Sequence, residues 1–239
     1  MKKEKMLLLG EEKSFITSEE KFSCQYGSVN LANKKSGEIV SIGKKKFVIV
    51  SPSMIDLLKK AKRMPQVVLP KDAASILAVT GAGKTWECLD AGSGSGFLSI
   101  FLSPYVKKIT TYEKNSSFFQ NVKRNIEFCG ISNIDAKNMP VQKFTEKNLD
   151  LITFDIMDAE KLVSRAYNAL KSGGWLCIYA PQLEQHMKCV EKMQKKKFTD
   201  IQTLENIQRK WKIDTRGFSH PHHTQVVHTG FLTFGRKLK

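Results

Sequence analysis

The sequence predicts an α/β chain in two parts, a small β-rich module followed by a mostly parallel sheet with helices on both faces. Three observations predict it. From Trp86 onward, short apolar runs alternate with amphipathic helical patterns, as parallel strands joined by crossover helices do. The first of those strands stops in Glu87-Cys-Leu-Asp-Ala-Gly-Ser-Gly-Ser-Gly96, where three glycines alternate with other small residues before a helical pattern resumes. Before Val50, by contrast, short alternating runs are separated by Gly and Asn, which reads as β structure. A length of 239 residues suits one domain of about 150–200 residues plus a smaller one.

The runs Ser14–Thr17, Glu38–Ile42 and Lys46–Val50 are the first expected strands. Pro52 is read as opening a helix over Ser53–Arg63, where apolar residues recur at helical spacing. The domain boundary is placed there, giving residues 1–63 as the small β domain with its connecting helix and 64–239 as the larger domain. A helix over Asp72–Val79 follows Pro65 and Pro70. The strands of the large sheet are expected at Trp86–Asp90, Ile109–Glu113, Asn133–Lys137, Leu149–Ile156 and Trp175–Ala180, the last entered through a tight Gly173-Gly174 turn. Helices are expected near Gly96–Ser103, Asn115–Cys129, Ala159–Leu170 and Leu183–Lys195. Ile201–Ile213 and Val226–Leu238 read as two long strands closing the sheet as an antiparallel pair.

With 41% hydrophobic and 26% charged residues the composition is that of a soluble globular protein. No apolar run approaches the ~20 residues of a membrane span, and Met6–Gly10 is too short for a signal sequence, so a cytoplasmic protein is expected. Thirty-nine Lys and Arg against 23 Asp and Glu leave a net charge of +16, which favours a polyanionic partner such as nucleic acid. The five cysteines, Cys24, Cys88, Cys129, Cys177 and Cys189, form no C-x-x-C pair and are expected to be reduced.

The glycine turn carries the chemistry. A strand that ends in such a turn and re-enters as a helix lets backbone N–H groups approach a ligand at the positive end of a helix dipole. Asp90-x-Gly92-x-Gly94-x-Gly96 brings its third glycine one position too early for the dinucleotide fingerprint, since Phe97 stands where that glycine belongs. The turn therefore reads as an S-adenosylmethionine site in preference to an NAD site. Glu113, about 20 residues on at the end of the second strand, can accept both hydroxyls of a ribose. Asp155 ends the buried fourth strand, where an unpaired carboxylate is costly outside a site. Strand four neighbours strand one in this topology, so Asp155 faces the reactive end of the cofactor. Asp158 reads as a helix N-cap.

Two other motifs are set aside. Gly81-Ala-Gly-Lys-Thr85 resembles the end of a P-loop, but a helix precedes it and a strand follows, the reverse of what that motif requires. His220, His222, His223 and His228 crowd together without a nearby acid or cysteine in sequence, so no metal site is expected, and RNA contact or ordinary loop chemistry remains open. Lys195-Lys196-Lys197 reads as a solvated helix end.

Taken together, these residues resemble the TrmI-type tRNA (adenine-N1)-methyltransferases over almost the whole chain. The likeness is carried by Phe22–Val29, by Pro52–Arg63, and by Pro65-Gln-Val-Val-Leu-Pro-Lys-Asp72, similar to a specific Gln-x-x-Tyr-Pro-Lys-Asp signature. Asp90–Gly96, Asp155-Ile156-Met157 and Val227-His-Thr-Gly-Phe-Leu232 carry it further. The resemblance implies a Rossmann-like class I S-adenosyl-L-methionine-dependent methyltransferase fold with a small N-terminal β domain. It implies a homotetramer with tRNA bound across subunits, and methylation of the T-loop adenosine at tRNA position 58, with position 57 also open. By motif position, Gln66, Val67, Val68, Leu69, Asp90, Ala91, Gly92, Ser93, Gly94, Ser95, Gly96, Phe97, Glu113 and Asp155 would hold the cofactor or target base.

The sequence departs from the family pattern in four places. Leu69 stands where Tyr is common, Asp158-Ala159-Glu160 replaces Glu/Ser-Pro-Trp, Ser51 replaces Arg, and Pro140 falls where an acid usually receives the adenine N6. Asn138 or the Met139 backbone then has to serve the adenine. The mechanism expected is flipping of the adenosine into the pocket, with Asp155 as the catalytic acceptor of the N6 proton. The alternatives are a non-catalytic tRNA-binding subunit, against which the complete Asp90–Gly96 turn and Glu113 speak, and a methyltransferase for another RNA, a protein or a small molecule.

Overall fold

The computed structural model describes residues 4–65, 67–223 and 227–239, so Gln66 lies outside the described residues. The chain divides into two compact units, Met1–Ala61 and Lys62–Lys239.

Among its described residues the first unit is all β but for one helix. Strands β1 (Met6–Leu9), β2 (Ser14–Thr17), β3 (Lys21–Cys24), β4 (Gly27–Asn30), β5 (Ile39–Ile42) and β6 (Lys45–Val50) precede α1 (Met54–Lys60). Four of them form an antiparallel sheet in the order β2-β1-β6-β5, and β3 pairs with β4 as a separate hairpin. Period-two alternation puts Phe47 and Ile49 inward with Leu8, Val40 and Ile42, and Phe15, Phe22 and Tyr26 close over them. Pro52 is not the first residue of α1. Ser53 caps the helix in a reciprocal box with Asp56, satisfying backbone N–H groups that Pro52 could not, and the helix stops at Lys60.

The second unit runs α2 (Pro70–Thr80), β7 (Glu87–Ala91), α3 (Phe97–Leu102), β8 (Lys108–Tyr112), α4 (Ser116–Cys129), β9 (Ile134–Lys137), β10 (Leu149–Phe154), α5 (Val163–Ala169), β11 (Leu170–Ala180), α6 (Leu183–Lys195), β12 (Phe198–Glu205), β13 (Trp211–Lys212), β14 (His220–Pro221) and β15 (Phe231–Lys237). Seven strands make one sheet in the order β12-β15-β11-β10-β7-β8-β9. Neighbours from β11 through β9 are parallel, and β15 lies antiparallel between β11 and β12. One apolar cluster packs α5 and α6 against the sheet, and a second joins Ala73 and Ile76 of α2 and Leu98 and Leu102 of α3 to strand residues Cys88, Ile109 and Leu151. Strand order reverses between β7 and β10, which opens a crevice at their carboxyl ends.

Four expected elements differ. The helix expected over Ala159–Leu170 is a 3₁₀ turn over Ala159–Leu162 followed by α5, and Leu170 already belongs to β11. The Gly173-Gly174 pair is not a turn. β11 begins at Leu170, pairs with Leu149, and shifts register through the glycines before Trp175 meets Leu151. Gly173 at φ +81 provides the left-handed residue that such a bulge needs. The long strand expected over Ile201–Ile213 ends at Glu205, and Trp211–Lys212 pairs instead with His220–Pro221 in a separate two-stranded ribbon. The final strand starts at Phe231, and Val226 lies outside the described residues.

Candidate active site

β7 carries the chain to the crevice, and Gly92, Gly94 and Gly96 all adopt positive φ (+87, +54 and +76). Gly92 has no alternative. A side-chain carbon there would overlap the Asp155 carbonyl oxygen and lie 2.7 Å from its carbonyl carbon. The ends of β7 and β10 touch at this point, and the Asp155 N–H donates to the Ala91 carbonyl at 2.8 Å. Gly96 caps α3, which is only six residues long before a 3₁₀ turn, so its dipole is shorter than the expected Gly96–Ser103 helix would have supplied. Within the turn, the Gly92 and Ser93 N–H groups donate to the Tyr112 carbonyl at 3.2 and 3.3 Å, and that of Gly96 donates to the Ser93 carbonyl at 2.6 Å.

The pocket beside this turn is lined by Val67, Val68, Asp90, Gly92, Ser93 and Ser95, with Phe97, Leu98 and Asp155 completing it. Its volume is about 10 Å³, room for roughly one water.

The two aspartates of the crevice have opposite surroundings. Asp90 is fully buried and its oxygens are taken: Thr153 Oγ1 donates to Oδ1 at 2.8 Å, and Ser99 Oγ and Thr111 Oγ1 donate to Oδ2 at 2.6 and 2.9 Å. Ser93 Oγ lies 2.6 Å from Thr111 Oγ1, whose proton is already given to Asp90, so Ser93 donates there. Burial raises the Asp90 carboxyl above its ordinary range and the three hydroxyls oppose that rise. Asp155 is half-buried, and no side chain among the described residues hydrogen-bonds its carboxylate. Burial, and then the charge of Asp90, push its pKa to about 7.

Glu113 follows β8 directly. One carboxylate oxygen accepts from the Gly94 N–H at 3.0 Å and the other from the Asn115 N–H at 2.8 Å, fixing it at the crevice edge with lone pairs to spare. The expected adenine contact Asn138 donates to the Glu113 carbonyl at 2.9 Å and accepts from Ser116 Oγ at 3.0 Å, so its side chain braces the Glu113 loop. Met139 packs against the core beneath. Ala91 is buried, Leu69 stands at the N-cap of α2 without a side-chain cap, and Ser95 Oγ accepts from the Met64 N–H at 2.7 Å.

Other expectations resolve differently. Asp158 occupies the cap position of the 3₁₀ turn Ala159–Leu162 at φ +59, but its carboxylate caps no N–H and instead pairs with Lys161 at 2.8 Å. His228 does meet an acid. Its Nδ1 lies 2.6 Å from Glu205, brought in by the β12–β15 pairing from 23 residues away, and its Nε2 lies 3.0 Å from the Pro181 carbonyl. His220 and His223 stack at 4.5 Å, and no cluster able to hold a metal occurs among the described residues. No disulfide joins any of the cysteines among the described residues, and no helix among them is long and apolar enough to cross a membrane.

Two sets of residues escaped the sequence reading. Asn125 Nδ2 donates to the Lys62 and Ser95 carbonyls at 2.9 and 2.8 Å, pinning the glycine turn to the chain ahead of α2. The signal was there: Asn121 and Asn125 stand four apart on the buried face of α4. The second set surrounds Asp72, which is fully buried. Lys71 Nζ reaches it at 2.8 Å, Thr229 Oγ1 donates at 2.8 Å and Asn206 Nδ2 at 3.1 Å, while Tyr179 OH donates to the Thr229 carbonyl at 2.7 Å. This network ties the start of α2 to the loops that bound β12 and β15.

Comparison with known proteins agrees with this geometry. Residues 59–224 match the family described as tRNA methyltransferase complex GCD14 subunit. The chain is 32% identical to the tRNA (adenine(57)-N(1)/adenine(58)-N(1))-methyltransferase TrmI of Methanocaldococcus jannaschii, over 91% of this chain and 88% of that one. The crystal structure of an S-adenosylmethionine-dependent O-methyltransferase from Thermotoga maritima matches with a TM-score of 0.85 and 27% identity, covering 100% of this chain and 94% of that one. That of the tRNA (m1A58) methyltransferase TrmI from Aquifex aeolicus matches with a TM-score of 0.80 and 21% identity, over 100% and 98%, a likeness of fold. The fold is the class I S-adenosylmethionine-dependent methyltransferase fold.

Proposed function

Because this chain belongs to the family of the tRNA methyltransferase complex GCD14 subunit and TrmI, we propose that it methylates N1 of a T-loop adenosine of tRNA from S-adenosylmethionine. Position 58 is the target, and position 57 comes with it on the activity of the Methanocaldococcus relative. The observation that carries the reading is Asp155: a carboxylate with no side-chain donor among the described residues, held by its own backbone against Gly92, a position that admits no side chain.

The residues present fit the cofactor. The glycine turn brings no bulky side chain to the crevice, Val67, Val68, Phe97 and Leu98 give apolar walls, and the Glu113 carboxylate stands fixed at the edge for the two ribose hydroxyls. S-adenosylmethionine supplies an electrophilic methyl group when bound. Asp90 and Ser93, whose polar atoms are engaged with Thr153, Thr111 and Ser99, shape the floor from beneath. Asn138 holds Glu113, leaving the Met139 backbone for the adenine.

Asp155 accepts the exocyclic N6–H of the target base. Methylation at N1 makes that N6 more acidic, and a carboxylate with a pKa of about 7 takes its proton near neutral pH. Holding the base in line contributes the larger part of the rate. With this reading go a homotetramer, catalysis by residues 64–239 with 1–63 as an accessory domain, and action in the cytoplasm. Sedimentation, truncation and cell fractionation test these three.

The deciding experiment incubates the full chain with labelled S-adenosylmethionine and unmodified tRNA transcripts, then maps methyl groups by reverse-transcription stops. A stop at the T-loop adenosine is expected. Cofactor binding without methyl transfer would point instead to a non-catalytic subunit, and transfer to a small-molecule hydroxyl would favour the chemistry of the Thermotoga neighbour.

A further inference from the structure

The first unit holds a second cleft, of about 320 Å³, outside the residues that the family match covers. The Gly10–Lys13 turn, closed by Gly10 N–H to the Lys13 carbonyl at 3.1 Å, forms one wall. The hairpin turn between β5 and β6, which passes through Gly43, forms the other with Lys44, Lys45 and Lys46. Both glycines are required by what lies beneath. A side-chain carbon at Gly10 would come 2.7 Å from the Phe47 ring, and one at Gly43 would overlap the Tyr26 carbonyl oxygen. Phe47 and the half-buried Tyr26, with rings 6.2 Å apart, make an aromatic floor.

The rim is basic. Lys45 is neutralised by Glu12 at 3.1 Å, but Lys13, Lys44 and Lys46 are exposed and none has an acidic partner among the described residues. Glu11 is the other acid on this rim. Unpaired lysines around an aromatic-floored cleft are the features that hold a nucleic-acid backbone and stack its bases.

The geometry points to a docking site in this cleft for an unpaired, phosphate-bearing stretch of the RNA substrate, with phosphates on Lys13, Lys44 and Lys46 and a base against Tyr26. The site rests on the reading of tRNA as substrate and adds where on the chain a part of that RNA is held. An acidic peptide would satisfy the lysines but leave the aromatic floor without use.

The test uses the full chain carrying Lys13→Gln, Lys44→Gln and Lys46→Gln together, three exposed positions whose replacement leaves the core intact. Equilibrium binding of unmodified tRNA is measured across salt concentrations, with S-adenosylmethionine binding as the control. The triple variant is expected to bind tRNA about tenfold more weakly, with a log Kd against log salt slope shallower by about two, and to bind the cofactor as before. The corresponding Lys→Arg variant keeps wild-type affinity. Competition by polyglutamate as strong as that by an equal charge of oligonucleotide overturns the site. Unchanged tRNA affinity and slope in the Gln variant also overturns it, while leaving the substrate assignment standing. Wild-type protein that neither binds nor methylates tRNA overturns the substrate assignment, and this site with it.

Discussion

Replacing Asp155 by Asn is expected to stabilise the protein while it impairs turnover, and the pH dependence of that gain follows from the structure. The folded carboxyl titrates at about 7 against an ordinary 3.8. A carboxyl raised on folding favours the folded state only while it holds its proton. Its contribution is whole below about 4 and is lost as pH rises toward 7. At ~1.4 kcal/mol per pH unit, the loss between pH 5 and pH 8 is about 3 kcal/mol for a wholly enclosed group. Asp155 is half-buried, so water screens it and about 1–2 kcal/mol remains. The amide of the Asp155→Asn variant has no charge to desolvate and escapes this loss. For a chain of this size each kcal/mol moves Tm by about 2–4 °C. The Tm of Asp155→Asn relative to wild type should therefore rise by about 3–6 °C between pH 5 and pH 8. Calorimetry or thermal-shift scans at four pH values measure it, with cofactor binding and turnover followed in parallel. A difference that stays constant over this range, or shrinks, refutes the argument that Asp155 is held unpaired at a cost.

Gly92→Ala forces an L-residue into φ +87 and its methyl into the Asp155 carbonyl, so the two strand ends must part. A stability loss of about 2–4 kcal/mol and a turnover loss of about a hundredfold are expected from denaturant titration and steady-state assay. His186, buried and lying 2.7 Å from Thr233 Oγ1 and 3.1 Å from the Ala180 carbonyl, has its pKa lowered, mainly by burial. A histidine lowered on folding contributes stability above its ordinary 6.5 that is lost as pH falls through the folded value. The wild-type Tm should fall across that acid range more steeply than that of His186→Gln. Asp72→Ala leaves Lys71, Thr229 and Asn206 without their shared acceptor and should cost about 3 kcal/mol in urea titration, with Asp72→Asn milder. If cofactor affinity in Asp72→Ala stays at the wild-type level, the network acts on stability alone.

The strands and the glycine turn were legible because their signals are local: apolar runs of four to six residues, and alternating glycines that each need positive φ. What escaped depended on partners distant in sequence. The run after Ile201 keeps β character, yet the strand stops at Glu205, and the next residue, Asn206, bonds Asp72 in a helix more than 130 residues earlier. His228 has no acid near it in sequence for the same reason, and sheet pairing delivers Glu205. Gly173-Gly174 was misread through local chemistry, since a glycine pair suits a turn and a parallel bulge alike, and only the Leu149 pairing decides between them. Ser53 displaced Pro52 because the capping box satisfies two N–H groups, while proline has none to satisfy.

The roles of the two crevice aspartates follow from what surrounds them. Both sit at strand ends beside the glycine turn, and sequence placed both near the cofactor. Asp90 receives three hydroxyl donors and cannot take a proton from a ligand without breaking that set. Asp155 receives none among the described residues, and burial, with the Asp90 charge second, keeps its proton affinity high enough to be useful near neutrality. Three donors fix the Asp90 carboxyl in place, and Asp155 is left as the carboxylate that can accept a proton. On that argument Thr153→Val, which removes one donor from Asp90 without touching the ligand crevice, should move the pH midpoint of turnover while leaving tRNA affinity unchanged. An unmoved midpoint would uncouple the two acids and leave Asp155 tuned by burial alone.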